Sequence, residues 1–156
     1  MEDVFSCYKL YDNSILRVII WDSEGRTRGR YNHDFYCKWA DYIILIYDIS
    51  DKESLNECKN YYNAKIKQIC KDNIKVMLIG NKKDLENKRQ ISFEEANAFS
   101  LENKYIYMEA SCLRNENVYE SFEKAIEITL IEKKKENENQ LKLNQLQLKN
   151  KKKMDV

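Results

Sequence analysis

Gly80-Asn81-Lys82-Lys83-Asp84-Leu85 follows directly on an apolar run, Lys75–Ile79, and sets an amide, two ammonium groups and a carboxylate side by side. A carboxylate such as Asp84 can accept two hydrogen bonds from the ring N–H and the exocyclic amine of guanine, a donor pair that adenine does not offer. A site of this kind rejects the wrong base because its buried acceptor would be left unpaired. Asn81 could tie neighbouring loops together or reach the base edge, and the methylene stem of Lys82 could lie along the ring face. The plain alternative is a polar turn after a strand, where Asn and Asp are common.

Two more loops pose similar questions. Glu109-Ala110-Ser111-Cys112-Leu113 follows the apolar run Tyr105–Met108. Its useful groups would be backbone N–H donors aimed at a base oxygen, with Ser111 holding the turn. Cys112 reads as a small buried residue whose backbone matters, with no base nearby to make it a nucleophile. Trp21-Asp22-Ser23-Glu24-Gly25-Arg26-Thr27-Arg28-Gly29-Arg30 follows Ile15–Ile20. There Asp22 could reach a magnesium ion through water, and the Gly25 N–H could meet a terminal phosphate, since only glycine permits so close a backbone approach. Arg26, Arg28 and Arg30 fit a solvated loop or a partner-binding one. The lone histidine, His33, is expected to face solvent.

The elements that must hold these loops follow from the apolar pattern. Val4–Leu10 and Ser14–Trp21 read as strands joined by turn chemistry at Asp12-Asn13, which makes a hairpin. A short helix is expected near Asn32–Lys38. Tyr42–Tyr47 is an unbroken apolar run, as are Lys75–Ile79 and Tyr105–Met108, and runs without alternation belong to strands covered on both faces. Ser50 with Glu53 predicts a capping box before a helix through Leu55, Cys58, Tyr62, Ile66 and Ile69 to about Lys71. Ser92 with Glu95 predicts another, for a helix to about Glu102. Val118, Phe122, Ala125 and Thr129 mark a last helix. The alternation argues for a doubly wound, mostly parallel α/β domain, whose ligands bind beyond the carboxyl ends of the strands.

The chain of 156 residues has a net charge of +1, so nothing in the total calls for nucleic acid. The charge is uneven: residues 133–156 carry +5 and the first 132 carry −4. That basic tail, with isolated leucines at 141, 143, 146 and 148, cannot build a core and is expected to be solvated, as a helical extension or disordered. It lacks the aromatic interleaving that stacking on bases needs. Five cysteines without CxxC spacing argue against a disulfide or zinc framework and for a reduced, cytoplasmic protein. No signal peptide or membrane-spanning run is expected.

Taken in order, these loops resemble the small GTPases of the Ras superfamily, and most closely the Rab branch. The family's WDTAGQERF motif corresponds to Trp21–Gly29. Its NKxD motif stands at Asn81, Lys82 and Asp84, and its SAK motif is degenerate at Ser111, Cys112 and Leu113. Phe35–Ala40 looks like the Rab YYRGA segment, and Tyr47-Asp48-Ile49-Ser50 with Glu53-Ser54-Leu55 looks like YDxTxxxSF. The likeness runs from about Asp3 to Leu130, and implies a small GTPase domain over residues 1–132. It implies a guanine-nucleotide switch in vesicle-mediated transport, with GTP or GDP and magnesium as ligands and with effector and regulatory proteins as partners. Asn81, Lys82, Asp84, Ser111 and Cys112 would serve the base, and Asp22 and Gly25 the metal and terminal phosphate.

Four departures qualify that implication. The family's first strand, its GxxxxGK[S/T] phosphate loop and its switch threonine have no counterpart, since Gly25, Gly29 and Gly80 open no such motif. A fragment or truncated reading frame is therefore expected. Without the first strand, those at Ile15–Trp21 and Tyr42–Asp48 would lie about two strand spacings, roughly 10 Å, apart, unless the sheet closes up or something supplies the strand. Arg26 stands where the family has the glutamine that orients water, and arginine has only donors, so hydrolysis should be impaired. Leu113 replaces a lysine that packs beside the base. The end, Lys151–Val156, has no prenylation motif, which leaves weak membrane attraction at most. The competing reading is a nucleotide-free pseudo-GTPase that acts as an interaction module.

Overall fold

The computed structural model describes the chain at residues 3–11, 14–23 and 33–154. Strands β1 (Asp3–Tyr11) and β2 (Ser14–Asp22) form an antiparallel hairpin in the register Cys7 opposite Val18 and Lys9 opposite Leu16. Residues directly opposite share a face. The face carrying Lys9, Leu16, Val18 and Ile20 is half-covered, whereas Tyr8, Leu10, Ile15 and Ile19 stand exposed on the other.

Helix α1 (His33–Trp39) is followed by strand β3 (Tyr42–Asp48). Helix α2 (Lys52–Glu57) then runs through a π-helical turn, Cys58–Tyr62, into α3 (Asn63–Ile69). Strand β4 (Lys75–Asn81), a 3-10 segment (Lys83–Lys88), helix α4 (Phe93–Glu102), strand β5 (Ile106–Glu109) and helix α5 (Val118–Met154) complete the order.

Strands β3, β4 and β5 form a parallel sheet with β4 in the middle. Val76, Met77, Leu78 and Ile79 are all buried, as a strand covered on both faces requires. One face packs Leu45, Tyr47, Val76 and Leu78 against Leu55, Cys58 and Ile66 of the long helix and Ala96 and Phe99 of α4. The other gathers Met77, Ile79 and Met108. There α5 closes over the sheet through Ala125 and through Ser121, whose hydroxyl meets Met108 Sδ.

One open outcome is decided and one expectation is corrected. Among the described residues the hairpin and the parallel sheet share no ladder, so of the outcomes left open for the missing strand the sheet does not close up. The hairpin leans instead on α5, where Lys9 forms an ion pair with Glu123 and lies over the Tyr119 ring. The cap before α2 is Asp51, which accepts from the Glu53 N–H, and not Ser50. Ser50 is drawn away to Asp48, donating both its N–H and its hydroxyl to Oδ1 at 2.8 and 2.6 Å. Ser92 caps α4 as its pattern predicts, accepting from the Glu95 N–H at 3.0 Å.

Candidate functional site

Because the three strands run parallel, their carboxyl ends deliver residues 48–51, 81–84 and 110–113 to one edge of the sheet. Backbone bonds lace these loops together. The Ile49 N–H donates to Asn81 O at 3.1 Å, Ala110 N–H to Gly80 O at 2.9 Å, and Lys83 N–H to Ala110 O at 3.0 Å.

Asn81 is the side chain at the centre of this lacing. Its Oδ1 accepts from the Lys82 N–H at 2.7 Å and from the Cys112 N–H at 3.3 Å. Of the two roles open to Asn81 from sequence, tying neighbouring loops is the one its contacts fulfil. Lys82 then turns the chain in the left-handed region, at φ 63° and ψ 35°, and the 3-10 segment that follows carries Asp84 toward the third loop. The Ser111 hydroxyl donates to Asp84 Oδ1 at 2.5 Å and accepts from the Arg114 N–H at 3.1 Å. Ser111 is completely buried and Asp84 half-buried. An ionised carboxylate accepts about four hydrogen bonds, so Asp84 retains capacity for a donor pair arriving from outside.

The Lys82 ammonium lies 2.6 Å from Asp48 Oδ2. Burial of Asp48 opposes its ionisation, but hydrogen bonds from Lys82 and Ser50 outweigh this and hold its pKa below the ordinary value. The hydrogen bond to Asp48 raises the Lys82 pKa in turn.

Beneath the loops runs a buried polar chain. Tyr47 Oη and Tyr107 Oη are 2.7 Å apart, and Tyr107 Oη donates to Glu109 Oε1 at 2.8 Å. Arg89 clamps Glu109 at 2.7 and 2.9 Å and grips Glu86 at 2.8 and 2.7 Å. Burial, reinforced by Tyr47 and Glu109, pushes the Tyr107 pKa well above the usual phenol range. The clamp anchors the 3-10 segment bearing Asp84 to the end of β5, one residue short of the loop bearing Ser111. Gly80 makes room for it, since a Cβ there would stand 2.7 Å from Tyr47 Oη.

Asn81, Lys82, Asp84, Ser111 and Cys112 are thus brought together. Cys112 is exposed rather than buried, because its backbone N–H turns inward to Asn81 and leaves the side chain outside. Asp22 ends β2 in the separate hairpin, exposed, and no hydrogen bond or ion pair joins it to these loops among the described residues. Gly25 and Arg26 lie outside the described residues. No group of three or more His, Cys, Asp or Glu side chains that could hold a metal ion occurs among the described residues. Sequence reading passed over Asp48, although it too closes a strand; the signal was the rule already applied to its neighbours. The Arg89 clamp had no such signal.

A sequence model of the Ras family matches residues 2–131. This chain belongs to the Ras family. The chain is 36% identical over 110 residues to the Ras-related protein Rab-4A of Danio rerio, covering 70% of this chain and 51% of that protein. Identity to the GTP-binding protein ypt2 of Schizosaccharomyces pombe is also 36%, over 111 residues, 71% of this chain and 55% of the relative. The Ras-related protein Rab-11C of Dictyostelium discoideum is 33% identical over 115 residues, 74% and 51% of the two chains. The chain spans about half the length of these curated relatives. Its parallel sheet, flanked by helices on both faces, is that of a Rab-like small GTPase, and the laced loops carry this Ras-family chain's NKxD residues. No helix among the described residues is long and apolar enough to cross a membrane.

Proposed function

We propose that this chain provides the guanine-recognising half of a Rab-like nucleotide switch that acts in vesicle-mediated transport. The observation carrying this reading is the Ser111 bond to Asp84 Oδ1, which aims a half-buried carboxylate while Asn81 locks the two loops that would embrace a base. In this reading Asp84 accepts the two guanine donors, Lys82 covers the ring, and the loop at Ser111 and Cys112 faces the base oxygen. GTP or GDP is the ligand. Magnesium and the terminal phosphate would fall to Asp22 and Gly25, for which no assembled site supports more than that assignment. With Arg26 at the water-orienting position, hydrolysis is impaired, because an arginine cannot accept from water. Effectors and regulators would read the nucleotide state, from the cytoplasm or peripherally on endomembranes, with membrane attraction limited to the basic tail, residues 133–156.

Titration of the isotope-labelled chain with GDP and with ADP tests this. Guanine-selective shifts at Asn81, Asp84 and Ser111 are expected, with weak affinity and a small change in melting temperature. D84N should lose GDP and gain xanthosine diphosphate, because the amide offers a donor to the second xanthine carbonyl where guanine has an amine. Equal shifts with both nucleotides, or none, would remove the reading.

A second reading, a nucleotide-free interaction module, is favoured by the apolar side chains exposed on the hairpin, Val4, Phe5, Tyr8, Leu10 and Ile15. It predicts no response to guanine nucleotides and capture of a protein partner through β1 and β2.

A further inference from the structure

We propose that Lys83 and Glu116 are positioning residues that aim Asp84 at the donor pair of guanine, so that the site separates guanine from hypoxanthine. The inference rests on the reading of Asp84 as a guanine acceptor and names what fixes its aim.

Neither residue is marked by the sequence motifs. Lys83 fills the unassigned position of NKxD, and Glu116 lies outside every matched segment. The structure joins them by an ion pair between the Lys83 ammonium and Glu116 Oε1. The backbone beneath gives that pair its place. Ser111 and Glu116 face each other as an isolated antiparallel bridge and exchange both bonds, N–H to O at 3.0 Å each way. The bridge closes residues 111–117 into a lobe. Asn115 and Asn117, on either side of Glu116, take the left-handed conformation at φ 52° and 57°. The Asn117 amide fixes the end of the lobe by donating to Glu109 O at 2.7 Å.

Two adjacent residues of the 3-10 segment thus grip the two partners of one bridge. Lys83 holds Glu116, and Asp84 accepts from Ser111 at 2.5 Å. The contacts form a closed ring: Lys83 to Asp84 along the chain, Asp84 to Ser111, Ser111 to Glu116, and Glu116 back to Lys83. A single hydrogen bond to Oδ1 leaves a carboxylate free to swing about that contact. The tie on the neighbouring residue removes the swing, and the Lys83 N–H, bonded to Ala110 O at 3.0 Å, holds the same end. Aim matters because guanine presents two donors in one plane, the ring N–H and the exocyclic amine, whereas hypoxanthine presents only the ring N–H. A carboxylate turned out of that plane forfeits the second bond and the preference that goes with it. The Lys83 and Glu116 side chains are 38% and 39% exposed, which keeps the effect small and makes it sensitive to salt.

The test is an NMR titration of the isotope-labelled chain with GDP and with inosine diphosphate, whose base lacks the exocyclic amine. E116Q and K83M should each lower the ratio of the two affinities by about two- to fivefold. K83E/E116K, which restores the pair in reverse, should recover it. High salt should bring the ratio of the unaltered chain down toward that of E116Q. Loss of folded chain alone would weaken both nucleotides equally and leave the ratio where it was. Without any ligand, the Leu85 amide, bonded to Lys82 O at 2.8 Å, should exchange faster in E116Q and K83M than in the unaltered chain. In a chain that prefers GDP to ADP, a ratio untouched by E116Q and K83M would overturn the positioning role alone, and so would an unchanged Leu85 exchange rate. Absence of that preference from the unaltered chain would remove the underlying reading and the proposal with it.

Discussion

Ser111 donates its hydroxyl proton to Asp84 Oδ1 at 2.5 Å, a bond between residues 27 apart in sequence that joins two loops at one sheet edge. The hydroxyl is buried and charge-assisted, so its removal leaves a carboxylate oxygen and the Arg114 N–H without their partner. Ser111→Ala should destabilise the chain by about 1–3 kcal/mol, read as a lower urea midpoint at unchanged slope.

Arg89 and Glu109 form the buried core of the clamp, with side chains only 17% and 8% exposed. Arg89→Ala would strand Glu109 against Tyr107, at a cost of about 3–5 kcal/mol. Guanidinium denaturation should show it, and amide exchange should accelerate first in residues 83–88.

Gly80 lies where a Cβ would meet Tyr47 Oη at 2.7 Å and Ile49 Cγ2 at 3.1 Å. Gly80→Ala should cost about 1–3 kcal/mol through overpacking. Combined with Tyr47→Phe, which removes the nearer atom, the loss should fall short of the sum of the two single changes. A double-mutant cycle of thermal midpoints checks this.

Asp48 has a depressed pKa in the folded chain, so its contribution is complete above its unfolded value. The contribution is lost as pH falls through the lower folded one. The ordinary value is 3.8, so stability from this residue should drain away only in acid below that point. Lys82→Met removes the ammonium and should raise the Asp48 pKa, measured by carboxyl carbon NMR titration. An unchanged titration would show that Ser50 alone holds the charge.

Much of the architecture was legible because its cause is local. Unbroken apolar runs at Tyr42–Tyr47 and Lys75–Ile79 announce strands covered on both faces, and β3 and β4 occupy those positions. Capping was legible only in part. Ser92-x-x-Glu95 and Ser50-x-x-Glu53 carry the same pattern, yet Ser92 caps its helix while Ser50 turns to Asp48, a neighbour the pattern does not contain. The separation of the hairpin from the parallel sheet was open among several outcomes, since an alternating strand states which face it buries and not what it pairs with.

The residues at the strand ends were determined by sequence alone: carboxylate, amide and hydroxyl at Asp84, Asn81 and Ser111 stand where backbone periodicity ends each strand. Which of them touch was decided by tertiary packing, as was the outward turn of Cys112. The reason is range. Periodicity and capping act over one or two turns of chain, whereas a hydrogen bond between distant loops exists only after the core has set their distance.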